Sequence, residues 1–451
     1  MKKKIKLFYE NTYIIYWIIL SIIISVCFVF YQHSDILHTG GSSINYLNGH
    51  ILDFYDYNAT TELGGNAYLP TTYVLFAVWN IPIRLLKLVT EGTMNVRFIV
   101  RMWYKLGTTI LYVLTGRIIY KIVREQGFDL KDSIICSFLF YSSPIAVFSQ
   151  FIFGQYDIIT TFFMTLGFHY FLKKDDWKFV VCFSVAMTCK YFALLVFMPL
   201  LLYREKKVIN IIGKSFGMMS LFIIEVLVYI GSPAFKSGVF GFNPTNFIFQ
   251  AVIDLAEVRV SLVIVMWVLL CAYSYFVGGR DTKKEFKECV FILCVVMFIT
   301  FGLSFWHPQW VLMAMPFITL AIFMNKQSGI YMLLDTLLML VYTGFTVTYY
   351  INNVDQNLFC GGILRKYTEV IGMNMQMNKL FVLTDFNLWF SMFVSVLLAM
   401  VVFAHPKFLV QDNKSLVTDY KVEMMIRLLI GNLIFVVPSF VCLIINIKGI
   451  N

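Results

Sequence analysis

Apolar runs recur along the whole chain, each closed by a short polar or basic segment. A helix that crosses a bilayer needs about 20 mostly apolar residues. The pattern places such spans at residues 13–31, 102–120, 133–153, 157–172, 208–230, 260–277, 289–304, 311–325, 330–350, 386–403 and 424–447. Strands of a transmembrane barrel would alternate polar and apolar positions, so a β-barrel is excluded. The expected fold is an all-α polytopic membrane protein with no soluble second domain.

Charge sets the direction of each span, because basic residues collect on the cytoplasmic side. Lys2, Lys3, Lys4 and Lys6 put the N-terminus in the cytoplasm, and no small-residue cleavage site follows the first span. Residues 32–101 then form a long outer loop. Within it, residues 68–89 are apolar, but Pro70 and Pro82 interrupt them and Arg84 and Lys87 close them. Arg117, Lys121, Arg124 and Lys131 form a basic cluster, which parity makes cytoplasmic only if 68–89 stays in the loop as a helix on the outer leaflet. Residues 179–203 are basic at both ends, with Lys173, Lys174 and Lys178 before them and Arg204, Lys206 and Lys207 after. They are expected to cross twice in two short helices, with Lys190 at the turn. Short helices at membrane depth are tolerated only where protein or a wet cavity surrounds them. The total is about 13 transmembrane helices.

Composition changes this picture little. Of the 451 residues, 59% are hydrophobic, 18% aromatic and 14% charged, against about 25% charged in a soluble domain. The net charge of +10 sits in clusters between spans, so no nucleic-acid partner is expected. The nine cysteines show no metal-type spacing, and Cys27, Cys136, Cys182, Cys271, Cys294 and Cys442 read as small buried hydrophobes.

Four polar clusters fall on the outer face: the loop that begins at Asp35, Phe153–Asp157 (FGQYD), Lys190–Tyr191, and Phe305–Trp310 (FWHPQW). Asp35 lies four residues past the first span. It is either a general base toward an acceptor hydroxyl or a helix cap. Asp53 and Asp56 read as loop polarity before a metal pair. Asp157 either sits at ease on a helix N-terminus or meets substrate hydroxyls with Gln155. Lys190 is either a phosphate-binding point charge or a snorkelling lysine. Arg97 and Arg101 face outward against the charge rule, as a phosphate ligand or a lipid headgroup would require. His307 and Gln309, between Trp306 and Trp310, fit an aromatic belt or a sugar-phosphate site. Asn58-Ala59-Thr60 is a glycosylation sequon if the source is eukaryotic.

These motifs, in this order, resemble the GT-C superfamily of integral-membrane glycosyltransferases. The closest patterns are those of the bacterial family 87 enzymes and of the eukaryotic dolichol-linked oligosaccharide and GPI assembly transferases. The residues that carry the resemblance are Asp35 after the first span, the NYLNGHILDFY loop, and Tyr68-Leu69-Pro70-Thr71-Thr72-Tyr73 as Y-x-P-x-x-Y. Gly154-Gln155-Tyr156-Asp157, Lys190 ahead of Pro199-Leu200-Leu201, and His307-Pro308-Gln309-Trp310 complete the set. The chain departs from the family in having Y-L-P for Y-P-P and no second acid beside Asp35. Metal dependence therefore stays open, with a divalent cation as the one cofactor to consider.

The resemblance implies a catalytic module over residues 1–325 and additional C-terminal helices over 326–451. It implies inverting transfer of a sugar, mannosyltransferase-like, from a polyprenyl-phosphate donor to an extracytoplasmic glycolipid, surface polysaccharide or glycan. Asp35 would be the general base. Lys190, His307 and Arg97 or Arg101 would hold the donor phosphate, and Gln155 and Asp157 would position sugar or acceptor. Tyr55, Tyr68, Tyr191 and Gln309 complete the expected substrate-binding set. The location would be the cell envelope, in the plasma membrane if the source is bacterial. The alternatives are a transporter or flippase, for which Glu225 and Asp335 are the mid-span charges, and a polysaccharide polymerase working through outer arginines.

Overall fold

A computed structural model of the chain describes residues 2–31, 33, 35–87, 97–241, 245–278, 284–350, 385–410 and 414–447. The expected third outer loop, most of it at 351–384, lies outside these residues. So do the end of the apolar segment at Val89, the basic residues Arg280 and Lys283, and the side chains of Lys2–Lys6 and Cys442.

In chain order the longer helices are α1 (Lys2–Phe30), α2 (Pro70–Leu85), α3 (Phe98–Glu125), α4 (Leu130–Tyr141), α5 (Asp157–Leu172), α6 (Asp176–Cys189), α7 (Phe192–Arg204) and α8 (Val208–Tyr229). They continue with α9 (Pro233–Val239), α10 (Leu262–Val277), α11 (Glu285–Gly302), α12 (Met315–Met324), α13 (Ser328–Tyr349), α14 (Phe386–Phe403) and α15 (Lys421–Ile447). One antiparallel hairpin, β1 (Val252–Leu255) with β2 (Val258–Ser261), pairs Val252 with Ser261. The protein is thus an all-α polytopic membrane protein with one small hairpin that the hydropathy pattern does not predict. Among the described residues, five helices are long and apolar enough to cross a membrane. They number six if α4 and the segment Pro144–Phe153, bent by 54° at their break, count as one span. Thirteen crossings were expected; α5, α7 and α10 are apolar but shorter.

The chain divides into two compact units. One comprises Ser34–Ile118 and Gln155–Phe317. The segment 68–89 appears there as α2, a 16-residue helix that starts on Pro70, whose fixed φ suits the first helical position. Its Thr72, Tyr73, Phe76, Asn80 and Ile83 are buried. The α2 N-terminus is capped by Glu225 of α8, which accepts the Thr71 N–H at 2.7 Å. Trp79 of α2 stacks on Trp103 of α3 at 4.7 Å, and each indole donates to the other's backbone carbonyl. Residues 179–203 fold as the expected pair of short helices. Phe183 and Phe179 of α6 pack on Phe197 of α7 at 5.5 and 4.8 Å, so α6 and α7 run antiparallel with Lys190 at the turn. The base of this hairpin is closed by Arg204, which bonds the Phe171 carbonyl and Glu285 at 2.6 Å.

The other unit comprises Met1–His33, Ile119–Gly154 and Ile318–Asn451. Arg427 of α15 is buried there, with its Nε donating to Asp335 of α13 at 2.7 Å. Its two terminal nitrogens donate to the Ser142 hydroxyl at 2.8 Å and the Leu139 carbonyl at 2.9 Å. Those last two acceptors belong to the end of α4, where the bend leaves carbonyls without helical partners. Asn432 donates to the Ser142 carbonyl at 3.2 Å. One arginine therefore answers both a mid-span carboxylate and a broken helix end.

Removing one member of such a pair strands a buried charge, at about 3–5 kcal/mol. Asp335→Ala should sharply lower the thermal unfolding temperature in detergent. The double variant Asp335→Leu/Arg427→Met should be milder than Asp335→Ala alone. A double-variant loss equal to the sum of the losses of the two single variants would mean that the pair does not act as a unit.

Candidate active site

The candidate residues are brought together because their sequence neighbours share one apolar core. Ile36, Tyr156 and Cys189 are buried in the same cluster, with Tyr104, Phe76 and Ile44. Asp35 precedes the first of these, Gln155 and Asp157 flank the second, and Lys190 follows the third. Burial of the apolar positions thus aims four polar side chains at one place. Gly40 lies against the Tyr104 ring, where an added Cβ would sit 2.8 Å from it, so the Asp35 segment can approach α3 closely. Gly154 has φ 70°, a left-handed conformation that favours glycine, and it turns the chain into Gln155.

Gln155 is the hub. Its Nε2 donates to Asp35 Oδ2 and to the Tyr68 hydroxyl, each at 3.1 Å. Its Oε1 accepts from Gln309 Nε2 at 2.8 Å. Both hydrogens and the oxygen of the carboxamide are engaged, so its orientation is fixed, and with it the Asp35 carboxylate. Gln155 and Gln309 are buried, while Asp35, Tyr68 and His307 are half-buried. Asp35, Tyr68 and His307 can therefore be reached, and the two glutamines lie behind.

Lys190 supplies the cation. Its ammonium lies 3.3 Å from Asp157 Oδ1, and 4.6, 4.8 and 5.6 Å from the rings of Trp310, Tyr156 and Tyr68. Aromatic faces attract a cation at such distances. Asp157 is the first residue of α5, so the helix dipole also favours its charge. No glycine or proline marks the break between α6 and α7; Lys190 itself is extended there, at φ −151° and ψ 127°. His307 stacks edge-on to Trp310 at 5.0 Å, and Pro308 opens the short 3-10 helix Pro308–Ala314 behind it. Burial, aided by the Lys190 charge and opposed by Asp35, pushes the His307 imidazole down to about 4. At neutral pH it is a neutral hydrogen-bonding group, and Lys190 carries the charge. Burial first, then the Asp35 and Asp157 carboxylates, push the Tyr68 phenol up, which keeps it protonated.

Other expected residues fall elsewhere. Tyr55 is fully buried and donates to the Tyr68 carbonyl at 2.7 Å, so it braces Tyr68. Tyr191 packs against a second apolar cluster, which contains Tyr55 and Tyr73, and meets the Phe222 ring edge-on. Arg97 is exposed and does not join the Gln155 and Lys190 cluster; Arg101 is half-buried in the first turn of α3. Asp53 pairs with His50 at 2.9 Å, and Asp56 accepts from Ser232 and from the Ala234 N–H at the start of α9. The two are occupied separately. Among the described residues no three His, Cys, Asp or Glu converge to hold a metal. Asn58 is buried and bonded to Asn45 and Gly65, which removes the sequon from reach. Sequence reasoning missed Tyr156 as a wall of the lysine cage and Lys105 as a buried cation on α3. An ionisable residue inside an apolar span was the available signal for Lys105.

Because His307 is neutral from pH 6 to pH 8, His307→Gln should slow turnover without changing the shape of the pH–rate profile over that range. A titration near 6.5 seen in the wild type and lost in the variant would contradict this.

A family model, glycosyltransferase family 87, matches residues 67–302 of the chain. The match takes in Tyr68, Gln155, Asp157 and Lys190, begins after Asp35 and ends before His307. No curated protein matches the chain.

Proposed function

The chain belongs to glycosyltransferase family 87, and from that premise we propose that it transfers a sugar from a polyprenyl-phosphate donor to a hydroxyl acceptor, with inversion. The observation that carries this reading is the single cluster in which Gln155 orients Asp35 beside the caged Lys190. A base and a cation side by side suit a displacement that takes up a proton on one side and expels a phosphate on the other.

In the proposed step Asp35 takes the proton of the acceptor hydroxyl as its oxygen attacks the anomeric carbon. The bond from that carbon to the phosphate oxygen breaks, and the lipid phosphate leaves. Negative charge grows on the leaving phosphate, where a fixed cation stabilises it most. Lys190 fills that role by exchanging part of its contact with Asp157 for the phosphate. His307 adds a neutral hydrogen bond, and Arg101 is a further candidate from α3. Gln155 and Gln309 hold Asp35 in position, and Tyr68 and Trp310 offer rings to the sugar. All these groups lie within residues 1–325, which we assign as the catalytic module, and residues 326–451 add further helices.

We also assign the site to the extracytoplasmic face. The α6–α7 hairpin carries Lys190 at its tip, and Lys173, Lys174, Lys178, Arg204, Lys206 and Lys207 cluster at its base. The charge rule puts such a base in the cytoplasm. Nucleotide sugars are absent outside the cell, so a lipid-borne donor suits that face.

General-base catalysis contributes about 10²–10⁴-fold. Asp35→Asn should lower transfer by that factor in reconstituted protein, with thermal unfolding and donor binding retained, since an asparagine oxygen can still accept from Gln155. Full activity in this variant would remove Asp35 from the mechanism.

A further inference from the structure

We propose that the β1–β2 hairpin docks on the lipid bilayer, with Ile253, Leu255, Val258 and Val260 seated in the leaflet at the Lys190 end of the membrane. The strand register sets these four on one face, since Ile253 lies opposite Val260 and Leu255 opposite Val258. Alternate strand residues point to opposite faces, so Val252, Asp254, Arg259 and Ser261 share the other. There Arg259 pairs with Asp254 at 3.5 Å. On the apolar face Ile253, Leu255 and Val258 are all exposed. Contiguous apolar surface left open in this way marks a contact with another apolar phase.

The hairpin joins α10 without a linker. The Ser261 hydroxyl at the end of β2 accepts the Ile264 N–H at 3.2 Å and so caps α10, and the Leu262 N–H donates to the Ala251 carbonyl at 2.9 Å. Along α10, the Trp267 indole donates to the Leu195 carbonyl of α7 at 3.1 Å, and the Tyr275 carbonyl accepts from Lys206 at 2.5 Å. Helix α10 therefore runs parallel to α7, and its start lies at the Lys190 end. Its Val268, Leu269 and Phe276 are exposed, as residues facing lipid tails are. Its 16 residues rise only about 24 Å at 1.5 Å each, short of a hydrocarbon core of about 30 Å. The hairpin adds apolar surface at the end where the helix falls short. An open sheet edge is not tolerated within the hydrocarbon, and Glu257 occupies the turn, so the ribbon lies flat at headgroup level with its apolar face toward the tails. Four side chains are too few for a stable contact between two copies of the chain, which takes about 800 Å2 from each. The root of the hairpin also touches the candidate site. Phe247 lies on Trp310 at 5.4 Å, and Gln250 accepts the Phe305 N–H, so the bilayer contact braces the FWHPQW segment.

The full-length protein in phosphatidylcholine nanodiscs can carry the photocrosslinking residue p-benzoylphenylalanine in place of Ile253, Leu255 or Val258, or in place of Asp254 or Arg259 on the other face. All five positions are exposed, so each single replacement leaves the core intact. After irradiation, docking predicts protein carrying the mass of one phospholipid from the three apolar-face positions, at roughly tenfold the yield from Asp254 and Arg259, because alternate side chains take opposite faces. Equal lipid yields from the two faces, no lipid adduct from either, or adducts to a second copy of the chain from the apolar face would each overturn it.

Discussion

The candidate site depends on the buried pair of Lys190 and Asp157. Each is costly to bury alone, and together, with three aromatic rings around the ammonium, they are tolerated. The pairing also shapes the backbone. It holds the tip of the α6–α7 hairpin against the N-terminus of α5, in a place where no proline or glycine would break a helix. The same contact keeps Tyr156, between Gln155 and Asp157, in the apolar core. The hub residue Gln155 is aimed as a consequence, and through it Asp35. A pair held by one contact of 3.3 Å, with aromatic rings around the ammonium, leaves the ammonium able to share itself with an incoming anion.

Two other buried carboxylates hold helices in place: Glu225 caps α2, and Asp335 is answered by Arg427. These were the charges on which a transporter would have had to rely, and each is committed to a structural partner. Asp35 differs from them. It is half-buried, and one of its contacts comes from a carboxamide that is itself fully engaged.

Much of this was legible in the sequence, for identifiable reasons. The Lys190 turn followed from charge parity alone, because basic residues at both ends of 179–203 cannot lie on one side after a single crossing. The FGQYD and FWHPQW motifs gave candidate residues because polar groups inside an otherwise apolar chain need a reason to be there. The helix at Pro70 was legible from its proline. Side-chain direction was not. Tyr55 and Tyr68 look equivalent in a tyrosine-rich loop, and only tertiary packing turns one inward to brace the other. The same holds for Asn58, whose sequon is erased by burial, and for Arg427, whose partner lies 92 residues away. The hairpin at 252–261 escaped because its strands are too short for their alternation to stand out.

The most direct measurement is donor choice by the purified, reconstituted protein. Given labelled polyprenyl-phosphate sugar or labelled nucleotide sugar with the same mixture of glycolipid acceptors, it should move label to an acceptor from the lipid donor alone and release polyprenyl phosphate in equal amount. Transfer from the nucleotide sugar, with none from the lipid donor, would contradict the account.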